Sequence, residues 1–143
     1  NHPRVKLIPR AETQQEVYNI MAQSTCGVFP ARAEGWNLEL LEMMACNKPV
    51  ITTDFSAHTE FCTKENALLI PIQKTEPAYD GKWFDGKTGE WANLGDSEVS
   101  KLANHMKFVH ENKITTNPQG VETAKKLTWK NSARLVREAI GNV

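Results

Sequence analysis

The sequence predicts an α/β fold: a Rossmann-like parallel sheet with helices on both faces, then a hairpin insert and two C-terminal helices. The first observation is a set of four short apolar runs, which predict strands over residues 5–8, 26–29, 49–53 and 67–72. The second is that amphipathic segments alternate with these runs. Strands that lack polar alternation, separated by helices, are typical of a parallel sheet covered on both faces.

Apolar residues at helical spacing predict four helices, over about residues 11–23, 38–46, 97–112 and 120–140. In the second of these, Asn37 is the expected N-cap and Asn47 the expected left-handed stop, with Pro49 preventing continuation. The inward side chains of that helix are predicted to be Leu38, Leu41, Met44 and Ala45.

The hairpin insert is predicted over residues 73–96, with Asp85 and Gly86 as turn residues between Trp83 and Trp91. Either tryptophan could stack on a sugar ring, but packing within the hairpin is the expectation.

Composition limits the classes of function. The 143 residues carry 17 basic and 17 acidic side chains without a lysine or arginine block, which argues against a nucleic-acid or anionic-membrane partner. No apolar run approaches the ~18 residues of a membrane span, and the length predicts one domain. Cys26, Cys46 and Cys62 lack CxxC spacing, which predicts free thiols, a reducing and cytoplasmic compartment, and no zinc site.

Ligands of parallel α/β sheets bind at the carboxyl ends of the strands, beside helix N-termini. That rule points to three loops, over residues 9–13, 30–38 and 54–60. In the middle loop Gly35 allows a tight turn before a helix, whose first amides carry about half a positive charge and form an anion site.

Two glutamates stand out around this anion site. Glu34 would repel a phosphate, so it is a candidate acceptor for sugar hydroxyls beyond the phosphates. Glu42 lies about 80° around the helix and is a candidate acceptor for the two hydroxyls of a ribose. Spacing alone leaves open that Glu34, Glu39 and Glu42 form an ordinary charged helix face. Arg32 is equally open, as a phosphate contact or as a surface ion pair.

The run from Glu34 to Glu42, followed by Met-Met-Ala-Cys-Asn-Lys-Pro-Val-Ile, resembles the signature of the retaining group-1 family of glycosyltransferases, which have the GT-B fold. That signature has two glutamates separated by seven residues, in Glu-Gly-Phe-Gly, four variable residues, then Glu-Ala-Met-Ala-x-Gly-x-Pro-Val. Upstream, Val5-Lys-Leu-Ile-Pro and the helix with Tyr18 are similar to the strand and helix that precede the site in the family. Downstream, the segment 53–60 and Leu127-Thr-Trp129 are similar to further parts of it, so the resemblance covers most of the chain.

The resemblance implies roles for individual residues. Glu34 takes the catalytic position, which contacts hydroxyls of the transferred sugar, and Glu42 takes the position that binds the nucleotide ribose. The remaining donor-binding residues would be the backbone amides of Trp36, Asn37 and Leu38 for the diphosphate, Pro9 and Arg10 for the base, and in addition Gly35 and Arg32. Transfer in this family needs neither metal nor cofactor. It retains the anomeric configuration, and the departing phosphate helps to deprotonate the acceptor.

The chain departs from the family pattern at three places: Asn37 replaces the second glycine, Glu39 the proline and Ala31 a serine. An acceptor-binding domain and the first strand of the donor domain precede this region in the family, as do the basic residues that pair with the diphosphate. We therefore expect residues 1–143 to form a donor-binding domain with an incomplete active site. Such a domain binds its nucleotide-sugar weakly and transfers little sugar by itself, because the partner domain positions the acceptor.

The main alternative is a non-catalytic module that binds a sugar or a nucleotide. An epimerase would need acid and base groups in the cleft, where only His58 is available, and His58 is expected to be a polar loop residue. A phosphorylase would need a pyridoxal-bearing lysine, and a dehydrogenase a GxGxxG after a strand; neither motif is present. The sequence does not identify the base, the sugar or the acceptor.

Overall fold

The computed structural model describes residues 2–141 and confirms the predicted α/β class. Three parallel strands form the sheet in the order β1 (Gly27–Phe29), β2 (Val50–Asp54) and β3 (Leu68–Pro71). Val28 is in register with Ile51, and Ile51 with Leu68.

Five α-helices surround or follow the sheet: α1 (Gln14–Gln23), α2 (Leu38–Ala45), α3 (Asp96–Glu111), α4 (Pro118–Lys126) and α5 (Trp129–Gly141). A 3-10 helix, Ser56–Glu60, follows β2. The hairpin insert consists of β4 (Thr75–Tyr79) and β5 (Asp85–Ala92), which pair antiparallel.

Successive side chains of β2 point to opposite faces of the sheet and define two cores. Val50 packs with the buried side chains of α2 and with Phe61, and α4 packs on the outer side of α2. Ile51 packs with Ile70 and with Val109 of α3. Helices therefore cover both faces of the sheet, as the sequence predicted.

The strand predicted over residues 5–8 does not form. Val5, Leu7 and Ile8 are 62%, 82% and 56% exposed, and in the described residues β1 pairs only with β2. The physical reason is that an apolar run becomes a strand only where a sheet edge satisfies its backbone groups. In the described residues, no backbone hydrogen bond joins this segment to β1.

The final predicted helix is two helices. Thr128 interrupts it, because its Oγ1 accepts from the amide of Asn131 at 3.2 Å and caps a new helix. Asn131 in turn donates through Nδ2 to the carbonyl of Lys126 at 2.9 Å, which closes α4.

The predicted turn of the hairpin is also misplaced. The turn spans residues 80–84, where the Oδ1 of Asp80 accepts from the amides of Lys82, Trp83 and Phe84 at 2.8, 2.8 and 3.0 Å. Asp85 and Gly86 instead begin β5. An aspartate that gathers three amides closes a loop more firmly than the Asp-Gly pair that follows it.

The inward face of α2 is only partly as predicted. Leu41 and Met44 are buried, but Leu38 is 53% exposed and Ala45 is exposed, while the inward face is Leu40, Leu41, Met43 and Met44. The N-cap sets this rotation: Asn37 is confirmed as the cap, and its side chain accepts from the amide of Leu40 at 3.1 Å.

A pair of substitutions in α2 tests this face. Met44→Ala removes a fully buried side chain and should lower the free energy of unfolding by about 2–5 kcal/mol. Leu38→Ala truncates an exposed side chain and should change it by less than about 0.5 kcal/mol. Urea denaturation of both variants measures the difference; comparable losses would mean that Leu38, as the sequence predicted, belongs to the core.

Candidate functional site

Two of the three loops that were predicted to bind a ligand at the carboxyl ends of the strands contact each other in the structure. The loop of residues 30–37 leads from β1 to α2, and residues 55–61 follow β2. The hydroxyl of Ser56 donates to the carbonyl of Glu34 at 2.7 Å and accepts from the amide of Glu34 at 3.1 Å. The ring of Trp36 lies 5.1 Å from that of Phe61, which is 5% exposed.

The third tether between these loops fixes the start of α2. Asn37 adopts a left-handed conformation, with φ 69° and ψ 72°. Its Oδ1 caps the helix, and its Nδ2 lies 2.9 Å from Nε2 of His58. The left-handed conformation accounts for the glycine in the family pattern, and asparagine is among the few other residues that adopt it readily.

His58 is 1% exposed and lies within a buried hydrogen-bonded network. Its Nδ1 is 3.1 Å from the carbonyl of Thr53, and 2.9 and 3.2 Å from the hydroxyls of Thr52 and Thr53. These hydroxyls donate to the carbonyls of Phe29 and Ala31 at 3.1 and 2.7 Å. Since both hydroxyl protons are engaged, Nδ1 carries the proton of a neutral imidazole.

The neutral tautomer has a direct consequence for the loop. With the proton on Nδ1, the Nε2 of His58 accepts a hydrogen bond from the side-chain Nδ2 of Asn37. Burial of the ring lowers the pKa of His58, against smaller opposing effects of its hydrogen bond to Thr53 and of the Glu34 carboxylate, and so favours this neutral form. His58 therefore holds the turn in front of α2 from the buried side of the loop, through its hydrogen bond to Asn37.

His58 is therefore more than the ordinary polar loop residue that the sequence predicts. The signal available in the sequence was the pair Thr52-Thr53 at the end of an apolar strand. Two adjacent hydroxyls in a buried strand require a polar partner, because burying them unpaired is costly.

A cavity of about 430 Å³ opens at the carboxyl end of β1. Its lining is Val28, Phe29, Pro30, Ala31, Glu34, Asn37 and Glu39. Glu34, Glu39 and Glu42 are all exposed, and in the described part of the chain none of them forms an ion pair. Glu42 lies farther along α2, outside this lining, where its carboxylate adds to the effect of burial in raising the pKa of Cys46.

Arg32 faces the hairpin. Its Nε donates to the carbonyl of Ala92 at 3.2 Å, its guanidinium pairs with Glu76, and it lies 4.7 Å from the centroid of the Trp91 ring. The surface-ion-pair alternative therefore describes the contacts of Arg32 in this structure, and a phosphate contact stays a prediction.

The remaining predicted donor residues, Pro9 and Arg10, are exposed. Among residues 2–141, no hydrogen bond joins the segment 9–13 to the other two loops. Their role in recognising the base stays a prediction.

Three further properties concern the described residues. Between residues 2 and 141, no three His, Cys, Asp or Glu side chains are grouped so as to hold a metal ion. No helix in the same span has the length and apolar character to cross a membrane. The thiols of Cys26, Cys46 and Cys62 are free, and burial raises the pKa of Cys26 to about 11.

The His58 network predicts a pH dependence of stability. Because the folded-state pKa of His58 lies below its ordinary value of 6.5, the unfolded chain binds more protons at acid pH. Stability is therefore complete above about pH 6.5 and falls below it, by at most about 1.4 kcal/mol per pH unit for this one proton. Urea denaturation between pH 5 and 8 should show this slope reduced in His58→Gln and retained in His110→Gln, whose side chain is exposed. An unchanged slope in His58→Gln would contradict the neutral assignment.

Comparison with known families gives one match. The model of the family described as glycosyl transferases group 1 matches residues 1–80, more than half of the 143. The matched region contains the sheet, both loops and α2, whereas β5 and helices α3 to α5 lie beyond it. No curated protein and no solved structure gives a match.

Proposed function

The chain belongs to the glycosyl transferases group 1 family, and on that premise we propose that it is the donor-binding half of a GT-B enzyme. In this proposal it binds a nucleotide-diphosphate sugar and supports transfer of the sugar to an acceptor hydroxyl with retention of configuration. Neither a metal nor a cofactor takes part, and an acceptor-binding domain completes the active site.

The observation that carries the proposal is the tethered turn in front of α2. Asn37 caps the helix with its own side chain, so the amide of Leu40 is satisfied. In the described structure the amides of Leu38 and Glu39 have no acceptor. They begin a helix whose N-terminus carries about half a positive charge, beside the 430 Å³ cavity. A diphosphate supplies both the negative charge and the acceptor oxygens that these amides need.

The rigidity of this turn matters for transfer. Donors that are already oriented stabilise the charge that develops on the departing phosphate without reorganising during the reaction. Ser56, Phe61 and His58 hold three positions of the loop, two of them by hydrogen bonds and one by ring packing. The chain therefore provides a preorganised leaving-group site.

Glu34 and Glu42 have different places in this proposal. Glu34 lines the cavity, with its backbone held by Ser56 and its carboxylate free, and it would accept hydrogen bonds from hydroxyls of the donor sugar. Glu42 lies about one turn along α2 and would accept from the ribose hydroxyls. In the reaction, the bond from the anomeric carbon to the phosphate oxygen breaks as the acceptor oxygen bonds to that carbon. The proton of the acceptor hydroxyl passes to the departing phosphate.

Glu42→Ala tests the ribose contact. Loss of a charged acceptor should cost about 1.5–3 kcal/mol, a tenfold to hundredfold loss of affinity for the nucleoside diphosphate. Calorimetry with UDP, GDP and ADP identifies the base and measures the change. Glu111→Ala, which truncates an exposed glutamate at the end of α3, is the matched control and should bind as the parent does. Equal affinity in Glu42→Ala and the control would remove Glu42 from the site.

Glu34→Ala tests the sugar contact. It should weaken binding of the nucleotide-sugar roughly tenfold or more while leaving the free nucleoside diphosphate unaffected, because Glu34 would contact only the sugar. Glu39→Ala, on the same cavity, is expected to change neither affinity by this amount. If Glu34→Ala weakened both ligands equally, the roles assigned to the two glutamates would be wrong.

A further inference from the structure

A second cavity lies on the other side of Glu34. It has a volume of about 540 Å³, within the range of about 300–1,000 Å³ typical of small-molecule sites. Its lining is Arg32, Ala33, Glu34, Gly35, Phe84 and Trp91. Glu34 is the residue that this cavity shares with the one at the end of β1.

The hairpin insert forms one wall of this cavity and is fixed to the loop. The amide of Ala92 donates to the carbonyl of Arg32 at 2.8 Å, and Nε of Arg32 donates back to the carbonyl of Ala92 at 3.2 Å. Ala78 and Ala92 are 2% and 0% exposed. The position of the hairpin against the loop is thus set by these two hydrogen bonds and by the burial of Ala78 and Ala92.

The wall is aromatic. The rings of Phe84 and Trp91 meet edge to face, with their centroids 5.4 Å apart. Arg32 covers the ring of Trp91, whereas Phe84 is 46% exposed and so leaves its ring available to a ligand. Phe84 and Trp91 both lie beyond the residues that match the family model, so this wall comes from the rest of the chain.

The charges of this cavity do not suit an anion. Arg32 is already paired with Glu76, and Glu34, an exposed acidic residue, lines the same space. An apolar ring face beside a free carboxylate suits a pyranose, whose C–H face is apolar and whose hydroxyls donate hydrogen bonds.

We propose that this cavity is a carbohydrate subsite, in which a pyranose ring of the acceptor stacks on Phe84 and donates a hydroxyl to Glu34. The proposal rests on the proposed function, because the donor sugar would occupy the other side of Glu34. The two oxygens of one carboxylate then contact the two substrates of the transfer.

The test uses two probes, methyl hexopyranosides observed by ligand NMR and nucleotide-sugars measured by calorimetry. Phe84→Ala should weaken binding of the methyl glycoside at least fivefold and leave the nucleoside diphosphate unchanged. Trp83→Ala removes the neighbouring tryptophan, which is 78% exposed and outside the lining, and should bind as the parent does. Phe84→Tyr keeps the ring and should retain binding. Thermal unfolding checks that each variant is folded.

The outcomes separate this proposal from the proposed function. If Phe84→Ala weakens the nucleotide-sugar relative to the free diphosphate but leaves the glycosides unchanged, the ring on Phe84 is that of the donor and the acceptor subsite is overturned. If no glycoside binds and the nucleotide-sugar is unaffected by Phe84→Ala, the subsite is overturned, whether or not the diphosphate binds. If glycosides bind in a Phe84-dependent way and no nucleoside diphosphate binds, the subsite stands and the donor-binding function fails.

Discussion

The hydrogen bond between His58 and Asn37 is the constraint on which the candidate site depends. It joins the end of β2 to the start of α2, at a distance of 2.9 Å. Asn37 must occupy a left-handed conformation to turn the chain into the helix, and such a conformation in a residue other than glycine persists only when its surroundings hold it. His58 provides that support, and its own orientation is set by Thr52 and Thr53. The groups of this network are neutral, and their buried polar atoms all have hydrogen-bond partners. The network therefore positions the turn at the carboxyl end of β1, where ligands of parallel sheets are expected to bind.

This arrangement separates two tasks that many loops must combine. The polar side chains that hold the turn, those of Thr52, Thr53 and His58, are buried. Glu34 is exposed, and the amides of Leu38 and Glu39 have no acceptor among the described residues. Because the polar side chains of the network already have hydrogen-bond partners within the fold, the turn is held in place without a ligand. Rigidity of this kind lowers the ordering cost of association, and in catalysis it avoids reorganisation during the reaction.

The hairpin insert changes the chemistry around the same loop. Without it, Arg32 would be a free cation next to an anion site. With it, the guanidinium is divided between Glu76, a main-chain carbonyl and the Trp91 ring, so its charge is largely compensated. The cavity lined by Arg32, Glu34, Phe84 and Trp91 consequently has an aromatic wall and an acidic residue, and its positive charge is compensated. The positive potential is left to the N-terminus of α2, where we propose that the diphosphate binds.

The sequence by itself determined the sheet, both of its covered faces, the cap at Asn37, the left-handed Asn47 and the family signature. Each of these depends on a local preference or on a fixed spacing, which a single chain displays. It did not determine the fate of residues 5–8, because strand formation requires an edge with which to pair, and the location of that edge is not written in the segment.

Only the tertiary structure decided the roles of His58 and Arg32. His58 lies 21 residues from Asn37 and Arg32 lies 60 residues from Ala92, so no local pattern joins either pair. A histidine in a polar loop and an arginine near a phosphate site have several equally ordinary explanations. The burial of the His58 ring selects one explanation for the histidine, and the contacts of Arg32 with the hairpin select one for the arginine. Both burial and long-range contacts exist only after the chain has folded.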